Sequence, residues 1–455
     1  MSKAYTRGPE FRYFLAAGAS LLIAICAGAW AFKLFAWSEP GDALTDWTWL
    51  RPTHVTFAVA WIFMAAIGGV WAFLPEALGV RIHSQRLARI QWWFFIAAGL
   101  IAFWGYLNGT VSGREYLNFP WPASLCIIAA WVCFIINFFR TARSSDRPWP
   151  VYVWMWATGV VAFSFTFLEG HLYLLPWFND APIRDLSVQW KSYGGLAGSW
   201  NMLVYGLSIC IMERVGGLGV SRSRKAFAFY WLGLTNLIFG YAHHTYALPQ
   251  SEWIRWMAFG ISMTEWVVLL SLIHDWAQPW NRDFWRNRPE ERVPRAFLAA
   301  TSAWIGINLL LAMLISIPTI NWFTHGTHVV MAHAMGSTAG INSMILFGVG
   351  FAWILGKVPM SQKLERPLWV GFWLTNLSLL VLWSLLVIAG IVKGLGMARS
   401  DWSFHQARTA IAPLISTAGW SAIALFVGLL LLLFCWFVLL GKAGSANGEQ
   451  EELSK

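Results

Sequence analysis

Residues 325–356 read HGTHVVMAHAMGSTAGINSMILFGVGFAWILG, a mostly apolar stretch with three histidines near its start. Its length exceeds the roughly 20 residues that an α-helix needs to cross a bilayer. Because hydrocarbon holds no water to solvate an imidazole, histidines inside such a helix usually bind metal, haem or protons. The stretch therefore predicts a membrane-spanning helix that carries part of a functional site.

Further apolar segments of similar length recur along the chain. Hydrophobic residues make up 58% of the sequence and charged residues 12%, and the mean hydropathy is +0.54, far from the usage of soluble domains. We predict an all-α polytopic membrane protein embedded in the lipid bilayer, with a twelve-helix membrane domain over residues 1–441 and a polar cytoplasmic tail over residues 442–455. The predicted spans are 13–37, 53–75, 89–109, 120–140, 150–174, 190–213, 226–248, 253–275, 296–318, 325–356, 367–393 and 413–441.

Lysine and arginine are unevenly divided between the two ends of these spans. With the amino terminus inside, 23 of the 32 basic residues flank the cytoplasmic ends, 8 flank the outer ends, and Lys33 lies within the first span. Cytoplasmic loops of membrane proteins carry the excess of basic residues, so both termini are predicted to be cytoplasmic. The formal charge of +10 follows from this bias and indicates no nucleic-acid partner.

Histidines from three separate spans are predicted to lie at one depth near the outer face. His54 opens span 2, His243 and His244 lie near the outer end of span 7, and His333 lies in the outer half of span 10. On one helix His333 and Met335 point about 200° apart and can face two different cofactors. Haem iron accepts an axial histidine or methionine, and imidazole pairs suit iron or copper. Ordinary core histidines are the alternative for each residue taken singly.

The histidines lie in the stretches RPTHVTFAVAWIF (51–63), FGYAHHTYALP (239–249) and NWFTHGTHVVMAHAMG (321–336). With LPEA at 74–77 and Glu265 in span 8, these make the chain resemble the haem–copper oxidase superfamily, and specifically the large catalytic subunit of cytochrome c-dependent nitric oxide reductase. The resemblance covers nearly the whole chain. It implies a fold like subunit I of the haem–copper oxidases and a place in the bacterial inner membrane.

Cofactors and activity follow from the resemblance as expectations. His54 and Met335 would bind a low-spin b-type haem and His333 a high-spin b-type haem, while His243 and His244 would hold a non-haem iron. The implied reaction reduces nitric oxide to nitrous oxide and water. Electrons would come from a membrane-anchored small subunit of the cytochrome c type, and protons from the outer side.

Two features depart from the family pattern. Met335 stands where the family has a histidine, which predicts a higher potential for the low-spin haem because a thioether favours ferrous iron; packing in the core is the alternative for this residue. On span 6, Tyr193, Ala197 and Asn201 occupy the positions of a histidine and two glutamates, on one helical stripe. Either Tyr193 or Asn201 completes the metal shell, or the non-haem metal is weak, different or missing.

Acidic groups add a predicted proton path. Glu265 lies in the middle of span 8, where a carboxylate usually marks a proton path or a polar network. Glu169 and His171, at the outer end of span 5, form the predicted entrance or are simply solvated at the interface.

Two other functions remain open at this point. One is a divergent oxygen-reducing subunit of the oxidase type, in which Tyr193 or Tyr246 would supply a phenol beside the histidines. The other is a di-haem electron-transfer or sensor subunit with a degenerate binuclear site, since the span-6 ligands are replaced.

Overall fold

The computed structural model describes residues 8–38, 44–216, 219–278, 280, 291–398 and 402–453, and these form helices joined by loops, with no strand. The side chains of Leu44, Thr45, Val220, Glu265 and residues 446–453 lie outside the description. The α-helices are α1 Pro9–Trp37, α2 Leu44–Leu78, α3 Gln85–Leu107, α4 Trp121–Arg143, α5 Val151–Glu169, α6 Pro176–Asn179, α7 Pro182–Gly216, α8 Arg224–Phe239, α9 Glu252–Ser262, α10 Glu265–Ala277, α11 Arg292–Ser316, α12 Pro318–Thr324, α13 His328–Met335, α14 Ser343–Leu355, α15 Gln362–Ala398 and α16 Phe404–Leu453. Three short 3-10 helices cover Leu172–Leu174, Val220–Arg222 and Gly240–His244, and a π-helix covers Gly336–Asn342.

Eleven helical stretches of the described chain are long and apolar enough to cross a membrane. They match eleven of the twelve predicted spans, and the chain is a multi-span, all-helical membrane protein. The predicted span 226–248 differs. Its α-helix, α8, has 16 residues, about 24 Å at 1.5 Å per residue, which is shorter than a hydrocarbon core of about 30 Å. The chain then tightens into the 3-10 helix Gly240–His244.

Aromatic packing joins helices that are distant in sequence. The ring of Trp61 on α2 lies 5.0 Å from Phe347 on α14 and 5.8 Å from Trp436 on α16. The indole N–H of Trp436 donates to the carbonyl of Phe14 on α1 at 3.1 Å. Such aromatic pairs contribute roughly 0.5–1.5 kcal/mol each beyond the area they bury. They fix the first, second, tenth and last spans against one another.

Two predicted spans are interrupted. Span 8 divides into α9 and α10 at residues 263–264. Span 10 begins only at His328, because the chain leaves the helical path over residues 325–327, where Gly326 adopts a φ of +74° that glycine accommodates without steric cost. The Thr327 hydroxyl then caps α13 by accepting the N–H of Val329 at 3.3 Å.

At the carboxyl end, α16 continues through Leu453. The tail predicted to begin at residue 442 therefore starts within a helix. Its alanine, glutamine and glutamate residues are good helix formers, so the helix continues. The apolar part that can lie in the membrane ends earlier, where the polar residues begin.

Candidate functional site

The rings of His243 and His244 meet at the end of the 3-10 helix Gly240–His244. Their Nε2 atoms lie 3.0 Å apart and their ring centroids 4.2 Å apart. In a neutral imidazole one ring nitrogen donates and the other accepts, so two facing Nε2 atoms either share a proton or bind one ion. The tight turn thus brings two nitrogen atoms to one point.

Other aromatic rings surround this pair. Trp190 on α7 stacks on His244 with centroids 4.9 Å apart and an interplanar angle of 8°, and its ring lies 6.4 Å from His325. Asn321, four residues before His325, donates from Nδ2 to the His243 carbonyl at 3.4 Å. The structure therefore gathers the predicted pair and a further histidine, His325, into one cluster, beside the segment that leads into the helix of His333.

A hydrogen bond to its backbone carbonyl holds His333 in place. Asn308 on α11, only 1% exposed, donates from Nδ2 to the His333 carbonyl at 3.2 Å and to Ser337 Oγ at 2.9 Å, and Trp383 Nε1 donates to Asn308 Oδ1 at 3.2 Å. By contrast, the buried His333 Nδ1 has no hydrogen-bond partner among the described residues. A buried polar atom without a partner costs roughly 1–3 kcal/mol, so a cofactor bound at this ring fits the site.

His54 has the arrangement expected of a neutral metal-binding imidazole. Its Nδ1 lies 2.8 Å from the carbonyl oxygen of Ala24 on α1; as an N–H donor there, Nδ1 leaves Nε2 free to bind a metal. The helix α1 approaches closely, since a Cβ atom placed on Gly28 would lie 2.4 Å from His54 Nδ1. Met335 is partly buried against the main core. These residues fit axial ligation of a haem.

The close approach of Gly28 gives a first test. We expect Gly28→Ala to push the His54 ring away from Ala24, because the added carbon would lie 2.4 Å from Nδ1. If His54 binds haem, the reduced-minus-oxidised absorption spectrum should then lose or shift its low-spin bands. Gly99→Ala is the control, since nothing lies within 4 Å of that position. Identical spectra in the two variants would contradict the role given to His54.

The span-6 positions have protein partners of their own. The Tyr193 hydroxyl accepts a hydrogen bond from Gln189 Nε2 one turn earlier. Asn201 Oδ1 accepts from Asn342 Nδ2 at 3.3 Å, which joins α7 to the π-helix. Ala197 is partly buried against the main core. The two candidate oxygen ligands are thus engaged with amide groups.

The donor set for a non-haem metal is correspondingly small. In the part of the chain that the structure describes, no group of three or more histidine, cysteine, aspartate or glutamate side chains is placed to hold a metal ion. The side chain of Glu265, which has a predicted role in proton transfer, is not among those that the structure describes. Two imidazoles alone do not fit the coordination shell of a closed non-haem iron site, which usually needs further nitrogen or oxygen ligands.

A loop covers the Tyr193 end of the cluster. Tyr116 adopts a φ of 60°, an uncommon backbone conformation for a residue other than glycine, and its ring meets the Tyr193 ring edge-on at 5.5 Å. Burial raises the pKa of Tyr116 to about 12. Nearby, Arg114 pairs with Asp185 at 2.8 Å. The ion pair and the strained turn fix the loop over Tyr193.

The predicted entrance of a proton path consists of locally paired groups. Glu169 accepts a hydrogen bond from Lys191. Both nitrogen atoms of His171 have partners, with Nδ1 2.8 Å from the Phe167 carbonyl and Nε2 2.8 Å from Ser124 Oγ. The pairing agrees with the interfacial alternative for these residues.

Sequence reasoning missed the residues that position the cluster. The i, i+4 spacing of Gln189 and Tyr193 was the one available signal for their hydrogen bond. Nothing local in the sequence marks Trp190, Asn308 or Asn342, because each meets its partner across a tertiary contact.

Comparison with known proteins places these features in context. A family model described as cytochrome c and quinol oxidase polypeptide I matches residues 10–430. A nitric oxide reductase chain of Stutzerimonas stutzeri is 22% identical over 366 residues, which cover 75% of each chain. A cbb3-type cytochrome c oxidase chain of the same organism is 24% identical over 402 residues, covering 81% of this chain and 78% of that protein.

A solved structure shares the architecture. A haem–copper terminal oxidase dimer determined by cryo-EM superposes with a TM-score of 0.73 at 14% identity, over 96% of this chain and 84% of that chain. At this identity the likeness concerns the fold alone.

Proposed function

This chain belongs to the cytochrome c and quinol oxidase polypeptide I family of the haem–copper oxidase superfamily, and we propose that it is the haem-carrying subunit of a nitric oxide reductase. Proteins of this family are membrane oxidoreductases that bind haem. In the proposed reaction two nitric oxide molecules, two electrons and two protons give one nitrous oxide and one water. The electrons come from a membrane-anchored cytochrome c partner in the inner membrane.

The observation that carries this proposal is the pair of facing imidazoles of His243 and His244, with Nε2 atoms 3.0 Å apart. The pair packs against the segment that leads into the helix of His333, since Asn321 Nδ2 donates to the His243 carbonyl at 3.4 Å. The similarity to the nitric oxide reductase chain over three quarters of this protein supports the choice of substrate.

Each residue then has a role that its surroundings support. His54 and Met335 would hold the low-spin haem and His333 the high-spin haem; the bound haems supply electron transfer and an iron atom that accepts the gas. The hydrogen bond to Ala24 fixes the orientation of His54. The facing nitrogens of the histidine pair would hold a proton for the reaction.

Tyr193 is proposed to deliver protons to that pair. We expect Tyr193→Phe to lower nitric oxide turnover about 100-fold, the lower end of what a positioned acid–base group contributes. Haem content and thermal stability should not change, since the ring contacts with Tyr116 and Trp190 are kept. Tyr116→Phe is the matched control. Normal turnover in Tyr193→Phe would exclude the phenol from the reaction.

One observation favours a second function, the di-haem electron-transfer subunit. Tyr193 and Asn201 have amide partners, and the described side chains offer no third metal ligand of the usual types. Elemental analysis of the purified complex, beside its optical spectrum and its consumption of nitric oxide and oxygen, distinguishes the two. Haem with no third metal and no gas turnover would select electron transfer.

The same measurement addresses oxygen reduction. Bound copper together with consumption of oxygen would support oxygen reduction. The phenol of Tyr246 is engaged elsewhere, since its hydroxyl donates to the Ser316 carbonyl at 2.9 Å.

A further inference from the structure

A helical stripe along the first half of α15 borders an open groove of about 680 Å³. Its members recur at spacings of three and four residues, which places them on one face of the helix. They include Glu365, Arg366, Trp369, Trp373 and Leu377.

This stripe faces away from the bundle. Trp373 is 58% exposed and Leu377 is 55% exposed, whereas Leu368 and Phe372 on the opposite face are buried. In a protein with eleven candidate membrane spans, an exposed apolar helix face of this kind meets lipid.

The polarity of the stripe changes in one direction along the helix. Charged residues occupy the first turn, tryptophans follow, and leucines come last. From Arg366 to Leu377 the helix rises about 17 Å, close to half of a hydrocarbon core of about 30 Å. The gradient therefore has the depth of one leaflet, which matches a single phospholipid rather than a partner helix that crosses the whole membrane.

One basic side chain at the charged end of the groove is left without a carboxylate partner among the described residues. Glu365 already pairs with Arg292 at 3.5 Å, and the Arg292 guanidinium lies 5.0 Å over the Trp369 ring. No carboxylate of the described residues forms a salt bridge with Arg366, which is exposed. The charged end of the groove is thus complementary to a negatively charged group.

The position of the groove indicates which leaflet of the bilayer it faces. It lies at the beginning of α15, shortly after the end of α14, where the Trp353 ring lies 5.3 Å from Phe14 near the start of α1. The groove and the amino terminus therefore share one side of the membrane, the cytoplasmic side by the distribution of basic residues. Basic residues near this surface attract anionic lipid head groups.

We propose that this groove binds an anionic phospholipid from the cytoplasmic leaflet, with its phosphate at Arg366 and its acyl chains along Trp373 and Leu377. The site is independent of the haem chemistry and of the proposed substrate.

Native mass spectrometry of the full chain in mild detergent tests the site, with phosphatidylglycerol and phosphatidylethanolamine offered separately at equal concentration. The wild-type protein should retain phosphatidylglycerol preferentially. Arg366→Gln should reduce that retention about fivefold, because one basic residue near an anionic head group contributes about 1 kcal/mol. Lys363→Gln is the matched control, since it removes the same charge from an exposed position next to the stripe.

Inorganic phosphate added alone should not displace the lipid, because the acyl chains supply part of the binding. Displacement by phosphate would show an anion site without lipid specificity. Equal losses in Arg366→Gln and Lys363→Gln, or equal retention of the zwitterionic lipid, would overturn the proposal. A protein dimer that Trp373→Ala abolishes would replace the lipid with a second copy of the chain.

Discussion

His333→Ala is expected to remove the high-spin, ligand-binding haem from the purified protein and to leave the low-spin haem in place. The imidazole of His333 is the proposed axial ligand, and its Nδ1 is buried with no partner among the described residues, so no other described group holds the ring in its place. Total haem, measured from its pyridine complex, should fall by about half, since one of two proposed haems loses its ligand. Nitric oxide binding seen in the difference spectrum should be lost.

A neighbouring histidine provides the control for this variant. His325 lies in the same cluster, 6.4 Å from the Trp190 ring, but is exposed in the break before α13, so His325→Ala should keep both haems. Retention of both haems in His333→Ala, with undiminished gas binding, would refute the assignment of His333.

Met335→His is expected to lower the midpoint potential of the low-spin haem by on the order of 100 mV, within the range of about 0.8 V that axial ligands cover. The physical reason is that imidazole favours ferric iron more than a thioether does. A redox titration followed at the low-spin absorption bands measures the shift, and loss of a near-infrared band from sulfur ligation should accompany it.

Met335→Leu separates ligation from packing. Leucine keeps an apolar side chain of similar volume against the core that Met335 meets but offers no ligand atom. The low-spin haem should then become high-spin. A spectrum and a potential that match the wild-type protein would show that Met335 only packs.

Hydropathy predicted most of the helical spans, because a bilayer imposes span lengths that are visible in the sequence. It failed where an apolar run continues through a change in backbone geometry. The predicted span 226–248 loses its α-helix after Phe239, and the break over residues 325–327 depends on the left-handed turn at Gly326. Neither change alters the local hydrophobicity, so neither was predictable from it.

For the candidate site, the sequence predicted where the histidines lie but not the hydrogen-bond partners of their neighbours. Span order and the distribution of basic residues predicted that His243, His244 and His333 lie at one depth, and in the structure the His243 and His244 rings meet; the role given to His333 stays a prediction. The hydrogen bond between Asn201 and Asn342 was not predictable, because it joins side chains that are 141 residues apart in sequence. The i, i+4 spacing of Gln189 and Tyr193 allowed their hydrogen bond but did not require it.

The π-helix Gly336–Asn342, which directly follows Met335, has a consequence for how this chain can evolve. A π turn corresponds to one residue inserted into an α-helix, and its wider winding absorbs the extra residue. Deleting one residue there would restore α geometry, while the parts of the span on either side, with His333 and Met335 before the π-helix, would keep their directions. A single codon lost within this segment thus changes the residues of the π turn itself and leaves the proposed haem ligands in place.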